Sequence, residues 1–130
     1  MGEILTAAEK CVTPLVPIDV AELRDRLRDH PKLLAELAEI FRDDAPRQIE
    51  KIRVAVTRSD ARGLEMASHA LKGAASVLFA LPVAEAARRL EIMGRSGKLS
   101  GAPQDFEILQ NEWLRLKLAL DELCCEVKAS

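Results

Sequence analysis

Leu64-Glu65-Met66-Ala67-Ser68-His69-Ala70-Leu71-Lys72-Gly73-Ala74-Ala75-Ser76-Val77-Leu78 is the stretch around which the chain is organised. At about 100° per residue, Leu64, Ala67, Leu71, Ala74, Ala75 and Leu78 gather on one side of a helix. His69 projects roughly opposite that stripe, with Gly73 and Ser76 beside it and Lys72 one turn on. The spacing predicts a helix that buries an Ala/Leu face and offers water an imidazole, a cation and a position without a side chain. A mid-helix glycine costs about 1 kcal/mol relative to alanine. A lone helical glycine is usually a packing residue, but Gly73 faces away from the apolar stripe, which weakens that reading; close approach by a partner would justify the cost.

The same periodicity runs outward in both directions. Ser59-Asp60 is a cap for this helix, which reaches about Phe79. Upstream, Leu34, Leu37, Phe41, Ala45, Ile49, Ile52 and Val56 step by three or four, which predicts a helix from Pro31 to Thr57 with a kink at Pro46. Before it, Asp19 and Glu22 have capping-box spacing, and Ile18 and Leu23 the spacing of a hydrophobic staple. They open a short helix that ends at His30-Pro31. Downstream, Leu81-Pro82 starts a helix with Val83, Ala87, Leu90 and Gly94 inward, fraying through Gly94, Gly97 and Gly101. From Pro103 on, Phe106, Leu109, Trp113, Leu116, Leu120, Leu123 and Val127 make a continuous seam. There is no strand pattern and no repeat. The fold expected is all-α: an antiparallel up-down-up-down four-helix bundle with a short leading N-terminal helix.

Residues 1–17 form an irregular lead-in, with room for a short helix within Glu3–Cys11, and residues 18–130 the bundle domain. Leu114, Leu118 and Cys125 lie on the back of the last helix. The apolar lead-in, Ile4 to Val16, is a candidate cover for them; isolated surface leucines or a dimer contact are the alternatives.

Composition excludes several classes of function. A net charge of −2 with scattered Lys and Arg lacks the footprint of a nucleic-acid binder. No apolar run approaches the roughly 20 residues of a membrane span. Met1 to Lys10 does not read as a signal peptide, and Cys11, Cys124 and Cys125 have neither disulfide nor metal spacing. A reduced, cytoplasmic compartment fits best. A methionine at position 1 leans towards a free-standing protein.

Chemically, an imidazole is a nucleophile near neutral pH. It can accept a phosphoryl group, whose transfer depends mostly on in-line positioning and charge neutralisation. Lys72 can steady phosphate oxygens as a point charge. No phosphate-cradling glycine loop, metal cluster, Ser-His-Asp set or local acid for His69 is legible, so a partner is expected to bring the remaining machinery. Glu65 and Met66, flanking the histidine, and Ser76, one turn further, are candidate docking contacts. Arg88 and Arg89 read as a solvated face, and His30 as a junction residue.

His69-Ala-Leu-Lys72-Gly73 resembles the HxLKG signature of histidine-containing phosphotransfer (HPt) domains. Phe41-Arg-Asp-Asp-Ala-Pro46, Asp60 to His69, and Ala87-Arg-Arg-Leu90-Glu91 resemble three further family segments, so that the likeness covers about Ile18 to Leu123. The resemblance implies a phosphocarrier rather than an autonomous enzyme, without ATP-dependent kinase activity. His69 would take a phosphoryl group from the aspartate of one response-regulator receiver domain and pass it to another. Lys72 would be the phosphate-side lysine and Gly73 the clearance glycine. The chain itself would bind no metal or cofactor; the receiver would supply an acidic pocket and Mg²⁺. Receivers are the implied partners, with a hybrid histidine kinase as a further candidate and no nucleic acid or membrane; a monomer is expected, with a dimer as the alternative. A phosphorylation-independent receiver-binding module is the alternative, and a plain structural or dimerising bundle a third reading. Family members often carry Asn at the position of Val77 and Gly at that of Phe79, so this chain departs from the pattern at the end of the third helix.

Overall fold

Local capping starts the described chain as the spacing predicts. In the computed structural model, which describes residues 17–129 and side chains through residue 123, the Asp19 carboxylate accepts from Glu22 N–H at 3.0 Å. This opens α1, Val20–Arg26. Only half of the capping box forms: the Glu22 carboxylate turns to Arg26 instead, 3.5 Å away. The longer elements follow as α2 (Pro31–Arg58), α3 (Ala61–Val77), α4 (Leu81–Ser96) and α5 (Ala102–Ala129). No strand occurs among the described residues. The short helix expected within Glu3–Cys11, and the lead-in as a whole, lie outside the described residues.

The links are short and each has a local cause. Ser59 ends α2 in the left-handed region at φ +53°, and Asp60 then caps Gly63 N–H at 3.0 Å. Gly97 ends α4 at φ +78°, a conformation glycine adopts without penalty. With reversals this tight, consecutive helices lie side by side and antiparallel. Among the described elements, α2 packs on α3 and α5, and α4 packs on the same two helices, with no Cα atoms within 8 Å across either diagonal. The result is a four-helix bundle, with α1 set against α2 at one end.

The seams bury most of what their periodicity assigned to them; on α2, Leu37 and Val56 are only half-buried, with Ala38 and Ala55 inward beside them, and the Val127 side chain lies outside those described. Phe41, Ile52, Leu64, Leu71, Leu90, Leu109, Leu116 and Leu120 are buried, and the Phe41 and Trp113 rings meet edge-on with centroids 5.9 Å apart. α2 continues as helix through Pro46, and Pro46 itself is exposed. One assignment along α3 is corrected: Ala74 is exposed and Ser68 is fully buried. The stripe centres on Leu64, Leu71 and Ala75, which places Ala74 on its solvent-side flank and swings Ser68 inward.

The backbones of α3 and α4 approach closely at Gly94, and this sets the site. Gly94 is buried inside α4 rather than in a fraying end. A Cβ there would lie 2.5 Å from Glu65 N and 2.7 Å from Ala61 O. Both are backbone atoms and cannot rotate away. Gly94→Ala is therefore expected to pry the two helices apart and lower stability by about 2 kcal/mol in denaturant titration.

Phe79, the departure from the resembled pattern, adopts φ +54° in the α3–α4 link. A non-glycine residue there carries local strain. The strain is offset in three ways. The Phe79 carbonyl accepts from Asp19 N–H at 3.0 Å, its half-buried ring packs on the core, and the Arg26 guanidinium sits 5.4 Å above the ring centroid. α1 thus clamps the link that a glycine would have turned freely. On the back of α5, Leu114 and Leu118 are exposed as the pattern indicates; the proposed cover at Ile4 to Val16 and the Cys125 side chain lie outside the described residues.

Candidate functional site

His69 stands on the outer face of α3 with its side chain 68% exposed. It does not stand alone. Glu91, reaching across from α4, places Oε2 2.7 Å from His69 Nδ1, although the Glu91 side chain is only 4% exposed. The expectation that His69 lacks a local acid is thereby corrected. The same carboxylate holds Lys72 Nζ at 2.7 Å through Oε1 and Arg95 Nη2 at 2.8 Å through Oε2. Arg95 Nε continues the network to Glu65 Oε2 at 3.2 Å.

The protonation of this cluster follows from its contacts. Burial pushes the Glu91 carboxyl up, but hydrogen bonds from Lys72 and His69 and their charges outweigh that and hold it below the usual carboxylate range. An ionised Glu91 can only accept, so the His69 proton belongs on Nδ1, which donates to it. In the neutral ring the lone pair then falls on the other nitrogen, Nε2, of this exposed side chain. The geometry makes one imidazole nitrogen a nucleophile, fixes the ring's orientation, and sets a carboxylate against the ring for any positive charge it acquires.

The remaining candidates fall on two sides of His69. Glu65 lies on the α4 side and is engaged with Arg95. Ser76 is exposed and donates from Oγ to the Lys72 carbonyl at 2.8 Å. Met66 is 60% exposed. With Arg62, Glu65, Glu91 and Arg95 it shares with His69 a depression of about 350 Å³. A Cβ built on Gly73 meets nothing within 4 Å, so the open space beside His69 is real and internal packing does not demand glycine. The fold brings His69, Lys72, Glu91 and Arg95 into contact and leaves Gly73 and Ser76 as open surface next to them. Sequence reading gave no role to Glu91 or Arg95. The available signal was weak: Glu91 closes one of the resembled segments, and Arg95 follows it at i+4 spacing.

Arg88 pairs with Glu85 at 2.6 Å, and Arg89 lies 3.5 Å from the buried Asp105, so neither faces the histidine's network. His30 precedes α2, exposed and without a side-chain capping bond. Among the described residues no group of three His, Cys, Asp or Glu side chains is placed to hold a metal ion. No helix among them is long and apolar enough to cross a membrane.

A helical bundle that presents an oriented, exposed imidazole beside a lysine is the architecture of a phosphohistidine carrier. The Hpt domain family model matches residues 36–124, and the chain belongs to that family. The fold is also that of the crystal structure of histidine-containing phosphotransfer protein B (HptB) from Pseudomonas aeruginosa PAO1. The TM-score is 0.80 at 21% identity, with 90% of this chain and 99% of that one covered. No curated protein matches the chain.

Proposed function

We propose that this Hpt domain carries a phosphoryl group on His69 Nε2 between the aspartates of response-regulator receiver domains in a phosphorelay. The observation that carries the reading is the 2.7 Å contact of His69 Nδ1 with buried Glu91, which in the neutral ring keeps the proton on Nδ1 and the lone pair on Nε2 of a side chain that is 68% exposed.

The step is a substitution at phosphorus. As the Nε2 lone pair forms the N–P bond, the P–O bond to the receiver aspartate breaks, and the aspartate leaves with the electron pair as a carboxylate. The ring keeps its Nδ1 proton and becomes cationic. Glu91, already hydrogen-bonded to that proton, stabilises the new charge. Lys72 donates one of its three N–H groups to Glu91 and has two left for phosphoryl oxygens. The reverse step returns the group to a second receiver. The receiver brings the aspartate, its acidic pocket and Mg²⁺; this chain contributes nucleophile, cations and clearance, and acts as a carrier in the cytoplasm.

Mixing the protein with phosphorylated receivers of its own organism tests the proposal. Transfer should yield a phosphoprotein labile to acid and stable to base; absence of label from every receiver overturns it.

Gly73 gives a second expectation. Gly73→Ala should raise stability by up to about 1 kcal/mol through helix propensity, since the added Cβ has room. Gly73→Leu should fold as well but slow transfer at least about tenfold by standing where the receiver must approach. Melting curves and single-turnover transfer assays separate the two effects, and an unchanged rate in Gly73→Leu removes the clearance role.

A further inference from the structure

The two flanks of His69 differ in how their charges are used. On the α3–α4 side, Glu65, Lys72, Glu91 and Arg95 neutralise one another. On the α2–α3 side lies a groove of about 550 Å³, with buried Ala55 and Ala67 at its base and Val54, Met66 and Ala70 as apolar walls, the last two flanking His69 in sequence. Its rim carries Lys51 and Arg58, both exposed. Of the acidic side chains in the same lining, one is neutralised by a cation and the other keeps its charge but lies outside ion-pair reach of Arg58. Glu50 is bound to Arg53, and Asp60 caps Gly63 N–H. Among the described residues, Lys51 and Arg58 have no ion pair. Their charge is not a background excess, since the whole chain carries −2.

Resting on the carrier reading above, we infer that Lys51 and Arg58 are specificity determinants: they select receivers whose docking surface sets acidic side chains on either side of an apolar ridge. Lys51 and Arg58 lie seven residues, two helical turns, apart on α2, with Val54 between them. A ridge seated on Val54, Met66 and Ala70 therefore meets a cation at each end. Charges at such a rim act mainly on encounter rate and partner choice. They act through solvent, so salt screens them. A receiver with basic flanks meets two cations that have no ion-pair partner and is rejected without any change at His69. This places discrimination on α2, apart from the residues that take part in the transfer.

The test uses receiver domains of the same organism, each loaded with phosphate by a small donor, and measures the initial rate of transfer to the full chain. Wild-type transfer from the preferred receiver should fall at least about tenfold between roughly 50 and 500 mM salt. Lys51→Glu/Arg58→Glu should lose most of that rate at low salt and most of its salt dependence, and should shift preference towards receivers with basic flanks. Direct labelling of His69 by phosphoramidate, which needs no docking, should be the same in both proteins and shows the variant intact. Equal rates and equal receiver preference for variant and wild type overturn the inference while leaving the carrier reading in place. Failure of the wild type to accept label from any receiver overturns the carrier reading itself.

Discussion

His69→Gln will take no label from any phosphorylated receiver that labels the wild type. The loss should exceed about a thousandfold, the scale on which removal of a covalent nucleophile acts. The glutamine amide has no lone pair of comparable basicity to form an N–P bond. It can still donate an N–H to Glu91, so the clamp between α3 and α4 need not be lost. The side chain replaced is 68% exposed, and the variant should unfold within about 0.5 kcal/mol of wild type. Circular dichroism and a melting curve check this beside the transfer assay. A folded variant that still accepts acid-labile phosphate would move the carrier role to another side chain. His30, the only other histidine, then becomes the residue to replace.

What made the fold legible was local. The α2 stripe from Leu34 to Val56 and the α5 seam from Phe106 to Leu123 repeat long enough to fix which face is buried, whatever the neighbours are. Asp19 and Asp60 announce helix starts through bonds made within three residues. His69, Lys72 and Gly73 were legible for the same reason, since they share one turn of α3 and their exposure follows from its apolar face. Glu91 was not, because its contact spans two helices. Sequence shows a glutamate in an Ala-rich helix, where a solvated side chain is the ordinary expectation. Its burial depends on how closely α4 approaches α3, and that depends on Gly94, whose missing side chain admits the α3 backbone. Phe79 was legible as a departure but not as a solution: the compensation comes from α1, through Asp19 and Arg26. Ala74 and Ser68 exchange places because a small residue at the edge of a stripe can face either way; packing, not periodicity, decides.

Glu91 also carries the second large effect. Glu91→Ala should reduce the transfer rate about a hundredfold, and Glu91→Gln about tenfold, with His69 intact in both. Alanine leaves the ring free to rotate and removes the preference for the Nδ1–H tautomer, so both orientation and charge stabilisation are lost. Glutamine restores an acceptor for Nδ1–H but not the negative charge that meets the cationic ring. The order wild type, Gln, Ala therefore separates positioning from electrostatics. If Gln is as slow as Ala, charge alone matters; if all three are equal, Glu91 is only structural. Lys72 and Arg95 lose their shared partner in either variant, but at 31% and 62% side-chain exposure they can be hydrated. The stability cost should therefore stay below that of stranding a buried charge. Acid gives an independent reading with a definite sign. The folded state holds the Glu91 carboxyl below its ordinary value, so the unfolded chain takes up a proton first as pH falls. The stabilisation that this ionised group provides is complete above the ordinary carboxylate range and is lost as pH drops through the lowered folded value. Wild type should thus be more stable than Glu91→Gln at neutral pH, and the gap should close on acidification. A gap that stays constant down to about pH 3, below the ordinary glutamate value, would show that Glu91 is not the ionised hub that orients His69.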